Sequence, residues 1–326
     1  MSLARNLSVA SRGLHNYYAR KPFSVSFEVT HCCNAKCKHC HIRGMIEGET
    51  RASPEELGRI CRELSPVVAQ ASGGEPLLRR DLEQIVRAFR VPNCAPMIAL
   101  TTNAALLSVK RYTSLREAGV DEFSISLDYP DERHDEFRGI PGLFGKISDL
   151  MAQLRHVEDK RLLLGCVIQA DNFRLLPRMA ALATEWGIKL NFSCYTMMRT
   201  HDESYMLSAG EVDELEQVVG QLVEHRARQM NILTSPYAFR NMVAYFRNRS
   251  FPGCGTGHKF LNVNPDGTLS PCGLIIKDYA SRAELVEKFS RTNECDQCYT
   301  SMRANCEKPA ARMLADNLVT ARMRAR

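Results

Sequence analysis

Cys33, Cys37 and Cys40 stand in a Cys-x3-Cys-x2-Cys spacing, flanked by His31, His39 and His41. Three thiols this close cannot all pair off as disulfides. As thiolates they suit a soft metal centre, and three sulfur ligands on a four-iron cluster leave one iron without a protein ligand. An open coordination position separates a catalytic metal site from a closed structural one, as zinc sites show. The two histidines nearest the third cysteine, His39 and His41, are expected to shape the loop rather than to bind iron.

A second cysteine set lies toward the other end of the chain: Cys254, Cys272, then the Cys-x2-Cys pair Cys295 and Cys298. Between the first two, Pro265-Asp266-Gly267 sits between apolar-alternating arms, a β-hairpin signal that would bring Cys254 and Cys272 toward one metal. Four thiolates in this format allow a zinc ribbon or a fully ligated iron–sulfur cluster. The residues alone favour zinc.

The elements that must position these groups can be read in order. Phe23, Val25, Phe27 and Val29 alternate as in a strand and deliver the chain into the first cysteine loop. Ser53-Pro54-Glu55-Glu56 is a capping-box start with proline at the first helical position, and a helix to about Leu64 follows. An apolar strand over 67–71 ends in Ser72-Gly73-Gly74-Glu75-Pro76. Two glycines permit close backbone approach there, and the carboxylate can accept hydrogen bonds from an ammonium group.

Alternation continues with helices over 81–90, 109–118, 143–157 and 173–186 and strands over 97–101, 122–127, 162–168 and 188–194. Thr102-Asn103 closes one strand, and another ends near Ser126 and Asp128. Six strands with helices after the first five predict an α/β fold, a parallel sheet with helices outside. Ligands in such folds sit at the carboxyl ends of the strands, where all four candidate motifs fall. Ser208 with Glu211 is a second capping box, opening a long helix to about Gln229, and a shorter helix near 237–247 precedes a change of composition at Phe251-Pro252-Gly253.

The three-cysteine loop followed by Gly73-Gly74-Glu75-Pro76 resembles the radical S-adenosylmethionine (radical SAM) superfamily. That resemblance implies a partial (β/α)6 TIM-like barrel, a first [4Fe-4S] cluster on Cys33, Cys37 and Cys40, and SAM on the open iron. It also implies that Ser72, Gly73, Gly74, Glu75 and Pro76 hold the SAM amino group, while Ser126 and Arg138 contact its carboxylate. An arginine fork suits a carboxylate; the alternative is that Arg138 pairs with Asp131 or Asp135 at the surface. Asn103 matches the family's Thr-Asn-Gly stretch, but Ala104 replaces the glycine. His39 stands where an aromatic residue is typical. Cys32 could compete for iron, though its spacing suits the motif less well.

The order Cys254, Cys272, Cys295, Cys298, with Gly267 ahead of Cys272, resembles a Twitch domain, the shortened relative of the SPASM domain. A small C-terminal iron–sulfur domain containing the hairpin is then implied, with a second [4Fe-4S] cluster on those four cysteines and Cys306 as an alternative ligand. The resulting expected division is a basic amphipathic segment (1–21), a core barrel (22–200), connecting helices (201–250) and an auxiliary-cluster domain with a basic tail (251–326). The activity implied is reductive cleavage of SAM to a 5′-deoxyadenosyl radical that takes a hydrogen atom from a substrate. A flavodoxin- or ferredoxin-type protein would donate the electron. The expected substrate is a small molecule, a sugar or a lipid. About 22 residues precede the first strand, few for an added peptide-recognition domain, which leaves peptide modification as the alternative. A non-catalytic iron–sulfur or zinc protein using the same thiols is the reading from another class.

Composition agrees with a soluble protein: 326 residues, 44% hydrophobic and 25% charged, with no apolar run of membrane-spanning length. Thirteen cysteines without a secretory signal pattern point to metal sites in a reducing cytoplasm. Cys61, Cys94 and Cys166 fit buried apolar positions, and Cys194 either packs in the core or faces the site. Of the net +6, residues 1–21 carry four positive charges and no acid, and residues 302–326 another four, leaving about −2 between them. Basic ends suit an acidic electron donor or an anionic surface. No nucleic-acid motif or aromatic-interleaved basic stretch is present, so nucleic acid is not an expected partner. Leu3, Leu7, Ala10, Leu14 and Tyr17 form an amphipathic helix pattern with three readings: packing on the core, peripheral contact with a membrane surface, or a transit peptide.

Overall fold

The computed structural model describes residues 3–92 and 94–324. The chain opens with α1 (Leu3–Ala19) and β1 (Ser24–Thr30), and then alternates. It continues through α2 (Pro54–Leu64), β2 (Val68–Gly73), α3 (Leu82–Phe89), β3 (Met97–Thr102), α4 (Val109–Ala118) and β4 (Glu122–Ser126). Next come α5 (Arg133–Arg138), α6 (Leu143–Gln153), β5 (Leu162–Ile168), α7 (Leu176–Glu185) and β6 (Lys189–Cys194). Two further helices, α8 (Ala209–Gln229) and α9 (Pro236–Asn248), precede the hairpin β7 (Phe260–Val263) and β8 (Leu269–Ser270). Three helices end the chain: α10 (Arg282–Lys288), α11 (Ser301–Cys306) and α12 (Ala310–Arg324).

Local chemistry sets these boundaries. Ser53 is extended, its hydroxyl accepts from Glu56 N at 3.2 Å, and Pro54 begins α2. That helix stops where Ser65 turns left-handed and returns its N–H to Cys61 O at 2.9 Å. Ser108 caps α4, which ends at Gly119 with φ 130°. The capping box on α8 forms as the sequence predicts, with Ser208 N donating to the Glu211 carboxylate at 2.9 Å. Two differences stand out. The helix expected to reach residue 157 stops at Gln153, followed by a loop that ends with Arg161 in the left-handed region. The segment after Asp128, read only as a motif, contains the short helix α5, and Asp135 within it accepts from Gly142 N and Phe144 N to start α6.

β3, β2, β1, β7 and β8 lie side by side in that order, and β5 lies beside β6. β1 pairs in parallel with β2 and with β7, β2 with β3, and β5 with β6, while β7 and β8 pair antiparallel. This is the α/β fold the alternation predicts, with the hairpin strand β7 joining β1 through Phe27↔Val263.

The chain divides into two compact units. The first holds residues 1–36, 42–124 and 255–293. Val25, Phe27 and Val29 of β1 are fully buried on one side, and the Phe27 ring lies 4.4 Å from that of Phe89. Burying each such side chain stabilises the unit by roughly 1.5–3 kcal/mol. Helices α2 and α3 approach so closely that a Cβ on Gly58 would sit 2.9 Å from Ala88 Cβ.

Of the three readings of α1, the one that packs its apolar stripe on the core does not hold for the described residues. The polar side of the helix faces the unit: Asn16 is fully buried, Arg12 donates to Ser65 O and Cys94 O, and Arg5 pairs with the buried Asp121. Leu7, Leu14, Tyr17 and Tyr18 are exposed. The Leu3 side chain lies outside the described residues. Hydrogen-bond donors won this face because Ser65 O, Cys94 O and Asp121 need partners.

The second unit holds residues 37–41, 125–254 and 294–326. Its core joins Leu164, Leu176, Met179 and Leu190 to Phe192, whose ring stands 5.6 Å from that of Phe239 on α9. Val212, Leu215, Val219 and Leu222 supply the buried stripe of α8, as its period predicts.

Candidate active site

In the first unit, β1 runs straight into the cysteine loop, and β2 holds it there. Gly74 N donates to Thr30 O at 2.7 Å and Glu75 N to Cys32 O at 2.9 Å. A Cβ at Gly73 would lie 2.1 Å from Thr30 O, and one at Gly74 2.2 Å from Cys32 O. Gly73 also has φ 128°, a region closed to most side chains. The two glycines therefore let the end of β2 lie directly against the backbone that presents Cys33. Ser72 precedes them on β2, and Pro76 starts a single 3-10 turn capped by Glu75.

Glu75 is fully buried. Its carboxylate accepts from Leu77 N at 3.1 Å, Thr102 Oγ1 at 2.7 Å and Asn103 N at 2.8 Å. Asn103 in turn donates from Nδ2 to Asn34 Oδ1 at 2.8 Å, inside the cysteine loop, and accepts from Ala105 N. Ala104, which stands in the family's glycine position, takes φ 64°. The structure thus gathers Glu75, Asn103 and the start of the loop into one network. Thr102, named with Asn103 at the strand end, belongs to it, and so does Asn34, which no sequence signal marked.

In the second unit, Arg138 is buried and donates to Asp128 Oδ2 at 2.5 Å and to Cys37 Sγ at 3.6 Å. It pairs with neither Asp131 nor Asp135: Asp131 bonds Arg133 and Arg178, and Asp135 starts α6. Its Nε is buried and donates to no atom among the described residues, an unsatisfied donor suited to an anion. Ser126 is half-buried at the end of β4. Arg199 donates to Cys40 Sγ at 3.4 Å.

Each sulfur of the first motif accepts at least one hydrogen bond: Cys33 from Ala35 N at 3.4 Å, Cys37 from Arg138, and Cys40 from Arg199. Burial pushes the Cys37 thiol up from its ordinary value, while the Arg138 charge pulls it down. A metal that replaces the proton would convert that buried thiol into a thiolate facing a guanidinium, an outer-shell arrangement that tunes metal–sulfur centres. The donor set fits the iron–sulfur cluster implied by the spacing. Cys32 is fully buried and engaged elsewhere: Ile46 N and Arg51 donate to its sulfur at 3.2 and 3.3 Å.

The second cysteine set is distributed over both units. Cys272 belongs to the first. In the second unit, Phe251 N donates to Asp296 O at 2.6 Å and Ser250 Oγ to Asp296 Oδ2, tying the segment before Cys254 to the Cys295–Cys298 turn. Arg303, only 1% exposed, donates to Phe251 O, Pro252 O and Cys298 O and pairs with Glu307. Cys254 and Cys298 are its thiol neighbours. Cys306 is buried in α11, and Cys194 is buried with Cys298 close by. Cys61, Cys94 and Cys166 are buried as expected. Among the described residues no group of three His, Cys, Asp or Glu side chains is gathered as a metal-ion site.

One polar group in the first unit escaped sequence reading. Glu28 accepts from Asn262 Nδ2 at 2.6 Å and lies 2.8 Å from His31 Nε2, and a Cβ on Gly273 would sit 2.7 Å from its Oε1. Burial pulls the His31 pKa down, but the hydrogen bond and charge of Glu28 hold it above the ordinary value. An acid within the alternating strand β1, two positions before Thr30, is the signal that could have found it.

A family profile described as the Radical SAM superfamily matches residues 27–160. That match takes in the three-cysteine loop, Gly73-Gly74-Glu75-Pro76, Asn103, Ser126 and Arg138. Over 138 residues it is 37% identical to a probable GTP 3′,8-cyclase of Methanocella arvoryzae, covering 40% of this chain and 43% of that protein. Over 283 residues it is 26% identical to an AdoMet-dependent heme synthase of Oleidesulfovibrio alaskensis, covering 78% and 70%. SuiB of Streptococcus suis, solved with S-adenosylmethionine bound, shares the fold at TM-score 0.62 and 14% identity, covering 94% of this chain and 68% of SuiB. SuiB has also been solved with its precursor peptide SuiA. The partial barrel expected from the sequence is thus the shared fold.

Proposed function

We propose that Cys33, Cys37 and Cys40 hold a [4Fe-4S] cluster and that this chain uses it to cleave SAM reductively. When bound, the cluster and SAM supply a 5′-deoxyadenosyl radical able to take a hydrogen atom from an unactivated carbon. The protein's own residues orient and shield that chemistry. Ala35 N, Arg138 and Arg199 donate to the three sulfurs and offset their negative charge. Arg138 Nε is the donor for the SAM carboxylate, and Ser126, at the end of β4, is a second contact to it. The backbone of Ser72 to Pro76 faces the SAM amino group, with Glu75 fixing it through Thr102 and Asn103. Asn103 acts by tying the loop at Asn34 rather than through a free side chain.

The observation that carries this reading is that all three sulfurs of the motif accept hydrogen bonds, two of them from guanidinium groups. Anaerobic reconstitution with iron and sulfide, followed by SAM and dithionite, tests it. Formation of 5′-deoxyadenosine, lost in Cys37→Ala, is the expected result. Iron-replete protein that makes none would overturn it.

A second [4Fe-4S] cluster on Cys254, Cys272, Cys295 and Cys298, in a Twitch-like arrangement, is supported by Arg303, which fixes the backbone beside two of these thiols. Cys306, three residues along the same helix, is the alternative ligand. This cluster would accept an electron from the substrate radical or bind substrate, with a flavodoxin- or ferredoxin-type protein reducing the first cluster.

A polar small molecule, such as a sugar, is the substrate class we favour. Gln70, Ser72 and Thr101 occupy the half-buried positions of their strands in the first unit. A face of amides and hydroxyls matches a substrate rich in hydrogen-bonding groups. The same face can take a peptide backbone, and the shared fold with SuiB keeps peptide modification as the second reading.

A further inference from the structure

Helix α1 carries its apolar stripe on the wrong side for a helix that packs on a core. Such helices bury the stripe and show the polar face to water. Here Arg5, Arg12 and Asn16, spaced by seven and four residues, form the buried side. Asn16 donates to Pro22 O at 2.7 Å and to Ser65 O at 2.9 Å, and Arg12 to Ser65 O at 3.2 Å and Cys94 O at 3.0 Å. Leu7, Leu14 and Tyr18 repeat the same seven-and-four spacing on the opposite side and are 62%, 62% and 77% exposed. The helix is held by directed hydrogen bonds to named carbonyls, which fix which side points outward.

A second feature accompanies the stripe. An open cleft of about 430 Å³ is lined by Ser8, Ser11, Arg12, His15, Lys21 and Ser65. It offers two fixed cations, an imidazole and several hydroxyls, the donor set of a phosphate site. Residues 1–21 contain no acid to neutralise it. Among the described residues no helix is long and apolar enough to cross a membrane, so attachment through α1 would be by lying on a surface.

We propose that α1 is a peripheral membrane anchor: the Leu7–Leu14–Tyr18 stripe enters the interfacial layer of an anionic bilayer, and the cleft of Arg12, His15 and Lys21 takes a lipid phosphate. Charge decides the occupant. An apolar stripe beside an acid-free, cationic cleft matches a surface that is apolar within and anionic at its edge. Tyrosine, apolar in its body and polar at its tip, suits that boundary.

Co-sedimentation of the full chain with vesicles tests this. The probes are pure phosphatidylcholine and an equal mixture of phosphatidylcholine and phosphatidylglycerol. The chain is expected to partition at least about tenfold more strongly onto the mixed vesicles. Replacing the stripe (Leu7→Ser, Leu14→Ser, Tyr18→Ser) is expected to weaken that partitioning about tenfold or more while circular dichroism and the thermal midpoint stay unchanged. His15→Gln with Lys21→Gln, which spares the hydrogen bonds of Arg12 and Asn16, should remove most of the preference for the anionic mixture. The proposal fails if the stripe variant partitions like the parent chain. It also fails if the parent chain binds inorganic phosphate by calorimetry yet stays off both vesicles. A parent chain that is dimeric by sedimentation velocity, turns monomeric in the stripe variant and ignores vesicles would assign the stripe to a second copy. Vesicle indifference with tight binding of an acidic protein would assign it to that protein.

Discussion

Arg138 donates to Asp128 at 2.5 Å with the two side chains 9% and 0% exposed, and its other arm reaches Cys37 Sγ. The guanidinium is therefore fixed between a buried carboxylate and a sulfur of the first cysteine motif. Asp128 also accepts from Val167 N, which holds it in place.

Removing one side of that pair leaves a buried charge alone. Asp128→Ala is expected to destabilise the iron-free protein by about 3–5 kcal/mol in urea denaturation. Arg138→Lys keeps the charge but loses the fork, and should weaken SAM binding to the reconstituted protein about tenfold or more by equilibrium dialysis. Unchanged SAM affinity would remove Arg138 from the SAM contacts.

The glycines before Glu75 should tolerate nothing larger. Gly74→Ala places a methyl group 2.2 Å from Cys32 O, so backbone must shift just where the cysteine loop begins. The expected cost is about 2–3 kcal/mol or more, with iron content reduced alongside. Full iron loading in this variant would show that the loop does not depend on the end of β2.

Ala104 offers the opposite experiment. It is a buried non-glycine residue at φ 64°, a conformation that costs an ordinary residue about 1–2 kcal/mol. Ala104→Gly relieves that strain and gives part of it back as unfolded-state entropy, so a net gain of about 0.5–1 kcal/mol is expected from chemical denaturation.

Stability should fall on mild acidification because of His134. Burial, then the Arg138 charge, hold its pKa well below the ordinary value of 6.5. Above that value neither folded nor unfolded chain is protonated there, and nothing changes. Below it the unfolded chain takes up a proton that the folded chain refuses, so stability drops by up to about 1.4 kcal/mol per pH unit. Urea titrations between neutral pH and pH 5 should show this slope, reduced in His134→Asn.

Arg303 should matter more than a surface arginine. Arg303→Met removes donors to Phe251 O, Pro252 O and Cys298 O and breaks the ion pair with Glu307. We expect iron per reconstituted chain to fall from about eight to about four, the loss of one of two four-iron clusters. Undiminished iron would separate Arg303 from the second cysteine set.

Much of the catalytic half was legible because it is local. Cys33, Cys37 and Cys40 lie within eight residues, and Gly73-Gly74 permits one backbone to lie on another wherever it occurs. Strand and helix periods placed β1 to β6 within a residue or two because burial alternates with those periods. Capping residues Ser53 and Ser208 marked helix starts for the same local reason. Asn34, Arg199 and Arg303 carried no such mark. Each becomes important only through a partner: Arg199 meets Cys40 from a position 159 residues along the chain.

The amino-acid sequence by itself determined which elements form and which thiols gather in the first loop, since backbone propensity, capping and short spacings act over a few residues. Only the tertiary structure decided that Asp128 rather than a surface carboxylate takes Arg138, that β7 pairs with β1, and that α1 turns its leucines outward. Those outcomes depend on which buried donors and acceptors meet across long stretches of chain, and in each case the polar groups that could not go unpaired settled the choice.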